Sequence, residues 1–149
     1  MRPKAGERPD VTRAVRRGTS RWLRRAGFAL AHEFTFASGR RADILALAPD
    51  NDLWIVEVKS CLADFRTDLK WPDYDDWCDA LAFAVAPDFP VGLIPDEVGL
   101  ILADAYGGEM IRPPIRRPLA AARRRALTLG FARLASARLM LLEDPDFEG

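Results

Sequence analysis

The spacing of apolar positions predicts two long helices, one near each end of the chain. The first helix is predicted over about 10–26, where apolar residues recur at helical spacing after Pro9-Asp10 and Gly27 ends the pattern. The second is predicted over about 119–142, with a buried stripe formed by Leu127, Phe131, Leu134 and Leu142.

Between these helices, alternating apolar residues and short apolar runs predict six strands. Their predicted ranges are 28–36, 42–47, 53–59, 81–86, 99–103 and 110–112. A further helix is predicted from Ser60 through Leu69, before Pro72 interrupts it. In the first strand, Glu33 is predicted to lie opposite a shared apolar face of Phe28, Leu30, Phe34 and Phe36. This order of elements predicts an α/β fold with a mixed central sheet and helices on its faces.

Length and composition restrict the class of protein. The 149 residues fit one domain over 1–149, and no apolar run approaches the roughly 20 residues that a membrane helix needs. The first residues lack the apolar segment of a signal peptide, so we expect a cytoplasmic protein with no membrane partner. One histidine and two cysteines exclude a histidine-cluster metal site, a cysteine-based zinc site and a disulfide scaffold.

Charges of opposite sign occupy different parts of the chain, although 22 basic and 22 acidic residues cancel overall. Residues 1–41 hold 11 basic and 3 acidic residues, a net +8, and 112–142 hold 8 arginines and no acid. Between them, 42–111 hold 3 basic and 15 acidic residues, a net −12. This order predicts a cation site framed by surfaces that attract a polyanion, although ordinary solvated helix faces would give the same pattern. The candidate phosphate contacts are Arg13, Arg16, Arg17, Arg40, Arg41, Arg123, Arg124 and Arg125.

Two neighbouring strands carry the residues with the clearest chemistry. If 48–52 form the hairpin loop, Asp43 lies across from Glu57 with Cβ atoms about 5 Å apart. Lys59 shares the face of Glu57, roughly 6.6 Å further along the strand. Paired carboxylates repel each other, and a hard divalent cation such as Mg²⁺ would remove the conflict, with the backbone carbonyl of Val58 as a further candidate ligand. The alternative is a charged strand end in contact with water.

The pattern of Asp43, thirteen residues and then Glu57-Val58-Lys59 resembles the core of the PD-(D/E)XK nuclease superfamily. Within that superfamily, residues 11 to about 112 resemble the MmcB-type DNA repair proteins. The segments that carry this resemblance are RRADILAL, WIVEVKS, DFRTDLKWPDY, FAVAPDFP and LIPDEVGLILAD. The resemblance implies a restriction-endonuclease-like fold with an α-β-β-β-α-β core. It further implies that Asp43 and Glu57 hold Mg²⁺ (or Mn²⁺) and that Lys59 serves the attacking water.

The resemblance adds further candidates around this core. Glu33 is a candidate for the upstream acidic ligand that many members carry, and an exposed strand glutamate is the alternative. Lys70 matches a family motif position and is a candidate phosphate contact, with a solvated helix lysine as the alternative. Tyr74 also matches a motif position, and its ring suits either base stacking or the core.

The expected function is that of a magnesium-dependent nuclease that hydrolyses DNA phosphodiester bonds in repair. Since no base-reading motif is visible, we expect sequence-independent or structure-selective binding. The alternative is a non-catalytic DNA-binding or adaptor protein that keeps the nuclease fold and recruits other repair proteins.

Overall fold

A computed structural model describes residues 7–61 and 71–149, and within them it contains two long helices and six strands. The helices are α1 (Glu7–Arg25) and α2 (Ala121–Glu143). The strands are β1 (Ala29–Thr35), β2 (Arg41–Leu47), β3 (Leu53–Lys59), β4 (Ala80–Val85), β5 (Gly99–Ala103) and β6 (Gly108–Arg112). A 3-10 helix at Trp71–Trp77 precedes β4, and the helix predicted through Leu69 lies outside the described residues. The predicted strands and both predicted long helices are confirmed, with ends shifted by three residues or fewer.

The six strands form one mixed sheet in the order β1-β2-β3-β4-β5-β6. The first three strands pair antiparallel, β4 and β5 run parallel to β3, and β6 runs antiparallel to β5. The parallel strands end together at Lys59, Val85 and Ala103. We call this side the carboxyl end of the sheet and the opposite side, where β3 and β4 begin, the amino end. The predicted α/β class with a mixed sheet is thereby confirmed.

Within the described residues, one long helix packs on each face of the sheet. On the α1 face, Val15 and Leu23 of the helix pack with Ile44, Val56, Ala82 and Ile101. On the α2 face, Leu127 and Phe131 pack with Leu45, Ile55, Phe83 and Leu100. Neighbouring residues of a strand thus enter different cores, as the pleat requires. Both faces of the central strands are buried, which explains their near-continuous apolar runs.

The predicted single apolar face of β1 is wrong. Phe28 belongs to the α1 face, whereas Phe34 and Phe36 belong to the α2 face. The cause is Glu33, whose φ of 52° interrupts the extended backbone and reverses the alternation of side chains after it. On the neighbouring strand β2, Ala42 likewise enters the α2 face and Ile44 the α1 face. The reversal in both strands lies at the level of Asp43.

The predicted buried stripe of α2 is correct only in its first half. Leu127 and Phe131 are buried and Leu134 packs partly against the core, but Leu142 is 80% exposed. The residues from Leu139 to Leu142 point in all directions around the helix and all are exposed, so this last part of α2 has no core to pack on. No helix within the described residues is long and apolar enough to cross a membrane.

A cluster of ion pairs connects the start of α2 to the amino end of the sheet. Asp79 is 1% exposed and accepts the N–H groups of Leu53 (2.7 Å) and Leu119 (2.8 Å). The guanidinium of Arg124 donates to both oxygens of the same carboxylate, at 2.6 and 2.5 Å. Next to it, Arg116 donates to both oxygens of Asp52 at 2.6 and 2.9 Å.

Candidate functional site

The register of β2 and β3 brings the two predicted carboxylates together. Leu45 pairs with Ile55, as predicted, and the ladder continues to the pair of Ile44 and Val56. Asp43 and Glu57 are the next residues on the two strands. There Asp43 turns its carboxylate toward β3, where Oδ2 accepts the N–H of Val58 at 2.8 Å. A one-residue slip of the strands would have placed the two acids on opposite faces.

Glu57 is a buried acid on the α2 face, with 5% of its surface exposed. Burial, followed by the hydrogen bond and the negative charge of Asp43, raises the pKa of Glu57 to about 9. The Tyr74 hydroxyl and the Lys59 charge lower the same pKa by less. Glu57 Oε1 is buried and has no hydrogen-bond partner among the described residues. Glu57 is therefore protonated at neutral pH in this environment.

Lys59 lies on the same face of β3, two residues beyond Glu57, and is 8% exposed. Its Nζ lies 5.9 Å from the centroid of the Phe83 ring on β4. The lysine charge acts on the Glu57 carboxyl and favours its ionised form. Two carboxyl groups and one ammonium group therefore share a largely buried corner at the carboxyl end of the sheet.

Tyr74, from the 3-10 helix at Trp71–Trp77, lies against this corner. The tyrosine is 5% exposed, its hydroxyl donates to the Arg41 carbonyl at 2.9 Å, and it also interacts with the Glu57 carboxyl. Burial and then the charge of Glu57 raise the pKa of Tyr74, so the hydroxyl stays protonated. Arg40 covers the ring at 5.5 Å and forms an ion pair with Asp73 at 3.2 Å. From the sequence alone, the Tyr74 ring suits either base stacking or the core. Its match to a family motif is the only sequence signal that places it beside the site.

The donors in this corner suit a hard divalent cation. They are carboxylate oxygens, and the buried Glu57 Oε1 without a partner is the kind of atom that an ion satisfies. Among the residues that the structure describes, no group of three or more His, Cys, Asp or Glu side chains could hold a metal. Asp43 and Glu57 would thus supply two ligands and leave other positions to water, backbone or substrate, as Mg²⁺ allows. The Val58 carbonyl remains a predicted ligand.

Glu33 lies level with Asp43, between the pairs His32–Ile44 and Phe34–Ala42. Its carboxylate is 51% exposed and lies 3.8 Å from Arg16 of α1, while its carbonyl accepts a long hydrogen bond from Arg138 of α2. The structure therefore places Glu33 in contact with basic side chains, and its role as a ligand stays a prediction.

Several predicted phosphate contacts lie at the carboxyl end of the sheet. Helix α1 reaches this end at Gly18, where an added Cβ would overlap the carbonyl oxygen of Asp104. The neighbouring residues Arg13 and Arg17 are exposed, Arg16 pairs with Glu33, and Arg41 is exposed at the start of β2. Of these side chains, Arg16 contacts Glu33, which lies level with Asp43, and Arg41 lies two residues before Asp43 on β2.

The three consecutive arginines of α2 lie instead at the amino end. Arg124 is bonded to Asp79, and Arg123 covers the Trp77 ring at 4.2 Å and donates to the Asp76 carbonyl. Arg125 is exposed. Their contact with DNA stays a prediction, as does that of Lys70, which lies outside the described residues.

The fold and the site define a mixed α/β protein in which a buried glutamate contacts an aspartate beside a lysine. The chain belongs to the MmcB-like family of DNA repair proteins, whose model matches residues 2–146. It is also similar to a solved structure, the SPO1766 protein of unknown function from Silicibacter pomeroyi. The two chains are 43% identical and superpose with a TM-score of 0.89 over 93% of this chain and 94% of that one. No curated protein matches the chain. The family supports a role in DNA repair.

Proposed function

We propose that the protein is a metal-dependent nuclease of the PD-(D/E)XK type, with a restriction-endonuclease-like fold, that hydrolyses DNA phosphodiester bonds during repair. The observation that carries the proposal is the contact between Asp43 and Glu57 beside Lys59, with Glu57 Oε1 buried and lacking a partner among the described residues. Two acids in contact inside a fold cost stability unless they hold a cation. The DNA repair family supports DNA as the partner.

In this proposal each group has a defined task. Asp43 and Glu57 would hold the ion, with Glu57 in its ionised form. Bound Mg²⁺ or Mn²⁺ supplies positive charge at the phosphate and increases the acidity of water. Lys59 orients the attacking water and stabilises the charge that develops on the phosphate. The exposed arginines of α1 bind backbone phosphates without reading the sequence.

The test separates metal binding from chemistry. Asp43→Asn removes one of the two carboxylates that would hold the ion, so we expect it to lose most of the stabilisation by Mg²⁺ and to lose cleavage. Lys59→Met retains the apolar stem and both ligands, so we expect normal stabilisation by Mg²⁺ and a cleavage rate lower by at least about 100-fold. The measurements are thermal melts and cleavage of single-stranded, duplex, nicked and branched DNA with Mg²⁺, Mn²⁺ or EDTA.

The matched control is Asp88→Asn, which changes an exposed carboxylate just after β4. It should follow wild type in both assays. Cleavage by Lys59→Met at the wild-type rate would show that the assignment of this site is wrong.

A second candidate function is a non-catalytic DNA-binding or adaptor protein that recruits other repair proteins. It is favoured by the finding that no three potential metal-ligating side chains group together in the described part of the chain. It predicts DNA binding in EDTA together with an absence of cleavage of every DNA form with either metal.

A further inference from the structure

We propose that the cavity beyond the carboxyl end of β5 binds an unpaired nucleobase of DNA, with Tyr106 as the stacking ring. This inference rests on the proposed function, because it defines the DNA that would reach Lys59. The substrate is then DNA with a single-stranded segment beside the cleaved bond.

The register of the sheet fixes the distance between the cavity and the candidate active site. Lys59 pairs with Val85, Val85 pairs with Leu102, and Leu102 pairs with Glu109. Lys59 and Leu102 are therefore two strand spacings apart, about 10 Å. Val85 belongs to the α2-face core and Leu102 packs against it, so the row lies on the face of Lys59. About three nucleotides of a stacked strand span this distance, and fewer of an extended one.

The cavity has the size and lining that a nucleobase requires. It is open to solvent, measures about 520 Å³, and is lined by Pro87, Leu102, Ala103, Asp104, Tyr106 and the two glycines at the junction of this turn with β6. This volume falls within the ordinary range of small-molecule sites. Tyr106 is 76% exposed, which leaves its ring available for stacking.

The hairpin that carries Tyr106 is held in shape by its own hydrogen bonds. Asp104 Oδ1 accepts the N–H groups of Tyr106 (2.8 Å) and Gly107 (3.1 Å), and the Gly107 carbonyl accepts the N–H of Asp104 at 3.0 Å. On the other side, Gly18 of α1 packs against the same turn, and Arg21 donates to the Tyr106 carbonyl at 3.4 Å. An aromatic residue on a preformed turn binds with little further loss of conformational entropy.

The charges around the cavity favour a base over a phosphate. Asp104 and Glu109 line it and would repel the DNA backbone, whereas Arg21 of α1 lies beside the turn and attracts it. A backbone that passes Arg21 at the edge of the sheet, with its base turned toward Tyr106, satisfies both. A base inside a duplex already stacks on its neighbours, so only an unpaired base can meet the ring.

The experiment compares Tyr106→Ala with Tyr106→Phe. Binding of a fluorescent single strand and of a blunt duplex of equal length is measured by anisotropy in EDTA, so that no cleavage is needed. We expect Tyr106→Ala to bind the single strand about 5- to 100-fold more weakly and the duplex within about twofold of wild type. Tyr106→Phe should retain wild-type affinity for both, because stacking needs the ring and not the hydroxyl. The control is Ile115→Ala, another exposed apolar residue, which should leave both affinities unchanged.

Two results would overturn the base site. One is unchanged single-strand binding by Tyr106→Ala, and the other is an equal loss on single strand and duplex. If wild type cleaves no DNA while Tyr106→Ala still loses single-strand affinity alone, the nuclease proposal fails and the base site stands.

Discussion

At the scale of single residues, Glu57 is an acid whose surroundings disfavour its ionisation. A glutamate on a central strand, 5% exposed and touching a second carboxyl group, remains neutral because ionisation would leave two charges together in a poorly solvated place. Under the proposed function, Glu57 would lose this proton when a cation binds. This predicts that metal binding releases a proton and becomes stronger as the pH rises.

The raised pKa of Glu57 also makes the stability of the metal-free protein dependent on pH. The folded chain holds the Glu57 proton up to about pH 9, whereas an unfolded glutamate releases it near 4.5. Between pH 4.5 and about pH 9 the folded state binds more protons than the unfolded state. The contribution of Glu57 to the free energy of unfolding therefore falls as the pH rises through this range. Glu57→Gln cannot ionise, so in EDTA at pH 8 it should melt higher than wild type by at least about 3 °C.

Thermal melts in EDTA from pH 5 to pH 9 test this prediction, with the exposed Glu97→Gln as control. The gap between Glu57→Gln and wild type should widen as the pH rises, and the control should follow wild type. A Glu57→Gln protein that melts lower than wild type at pH 8 would contradict the assignment of a protonated Glu57.

At the scale of elements, the start of α2 depends on one buried carboxylate. Burial disfavours the ionised form of Asp79, but the hydrogen bonds from Arg124 and from the Leu53 and Leu119 N–H groups outweigh it and lower its pKa. The ionised form therefore stabilises the fold above the ordinary pKa of an aspartate, and the contribution is lost as the pH falls through the lowered value. Arg124 thus joins α2 to the beginning of β3 and β4.

We therefore expect Arg124→Ala to lower stability by about 1–3 kcal/mol, because it leaves the buried Asp79 without its guanidinium partner. Arg125→Ala, on the next residue of the same helix, should change stability by less than about 0.5 kcal/mol because the side chain is exposed. Urea denaturation at pH 7 measures both. Equal stability of the two variants would show that the Asp79 cluster does not hold α2.

At the scale of the whole molecule, the two basic segments divide between the ends of the sheet. Arg16 of α1 contacts Glu33, which lies level with Asp43, while Arg123 and Arg124 form contacts within the chain at the amino end. Arg138 of α2 also reaches Glu33, through its carbonyl. Under the proposed function, DNA bound at the acid pair would therefore lie at the end of the sheet opposite the first turns of α2.

Salt dependence distinguishes these surfaces. Each lost phosphate contact reduces the slope of log Kd against log salt by about 0.9 on duplex DNA. Arg13→Ala/Arg17→Ala should therefore flatten the slope by up to about 2 when DNA binds along α1, and Arg125→Ala should flatten it by up to about 1 when DNA binds at the start of α2. A flatter slope for Arg125→Ala alone would place the DNA at the amino end, away from Glu57.

The sequence predicts the features of the fold that depend on residues close to each other in the chain. Period-two runs predicted the strands, because side-chain alternation is a local property, and the loop at 48–52 predicted the pairing of Leu45 with Ile55. Asp43 and Glu57 could be brought together from the sequence for the same reason. The reversal at Glu33 was not visible, because one residue with positive φ leaves no trace in an apolar pattern.

The sequence alone determined the class of fold, the register of the central hairpin and the two acids with their lysine, since these follow from periodicity and from nearby residues. Only the tertiary structure decided which arginine reaches Glu33, level with Asp43, and which arginines hold the chain together. Arg124 and Arg125 are neighbours of the same type, and they differ only because a carboxylate distant in the chain, Asp79, lies within reach of one of them. Burial decided the state of Glu57 in the same way, because the pKa of a carboxyl group depends on how much water and which charges the folded chain leaves around it.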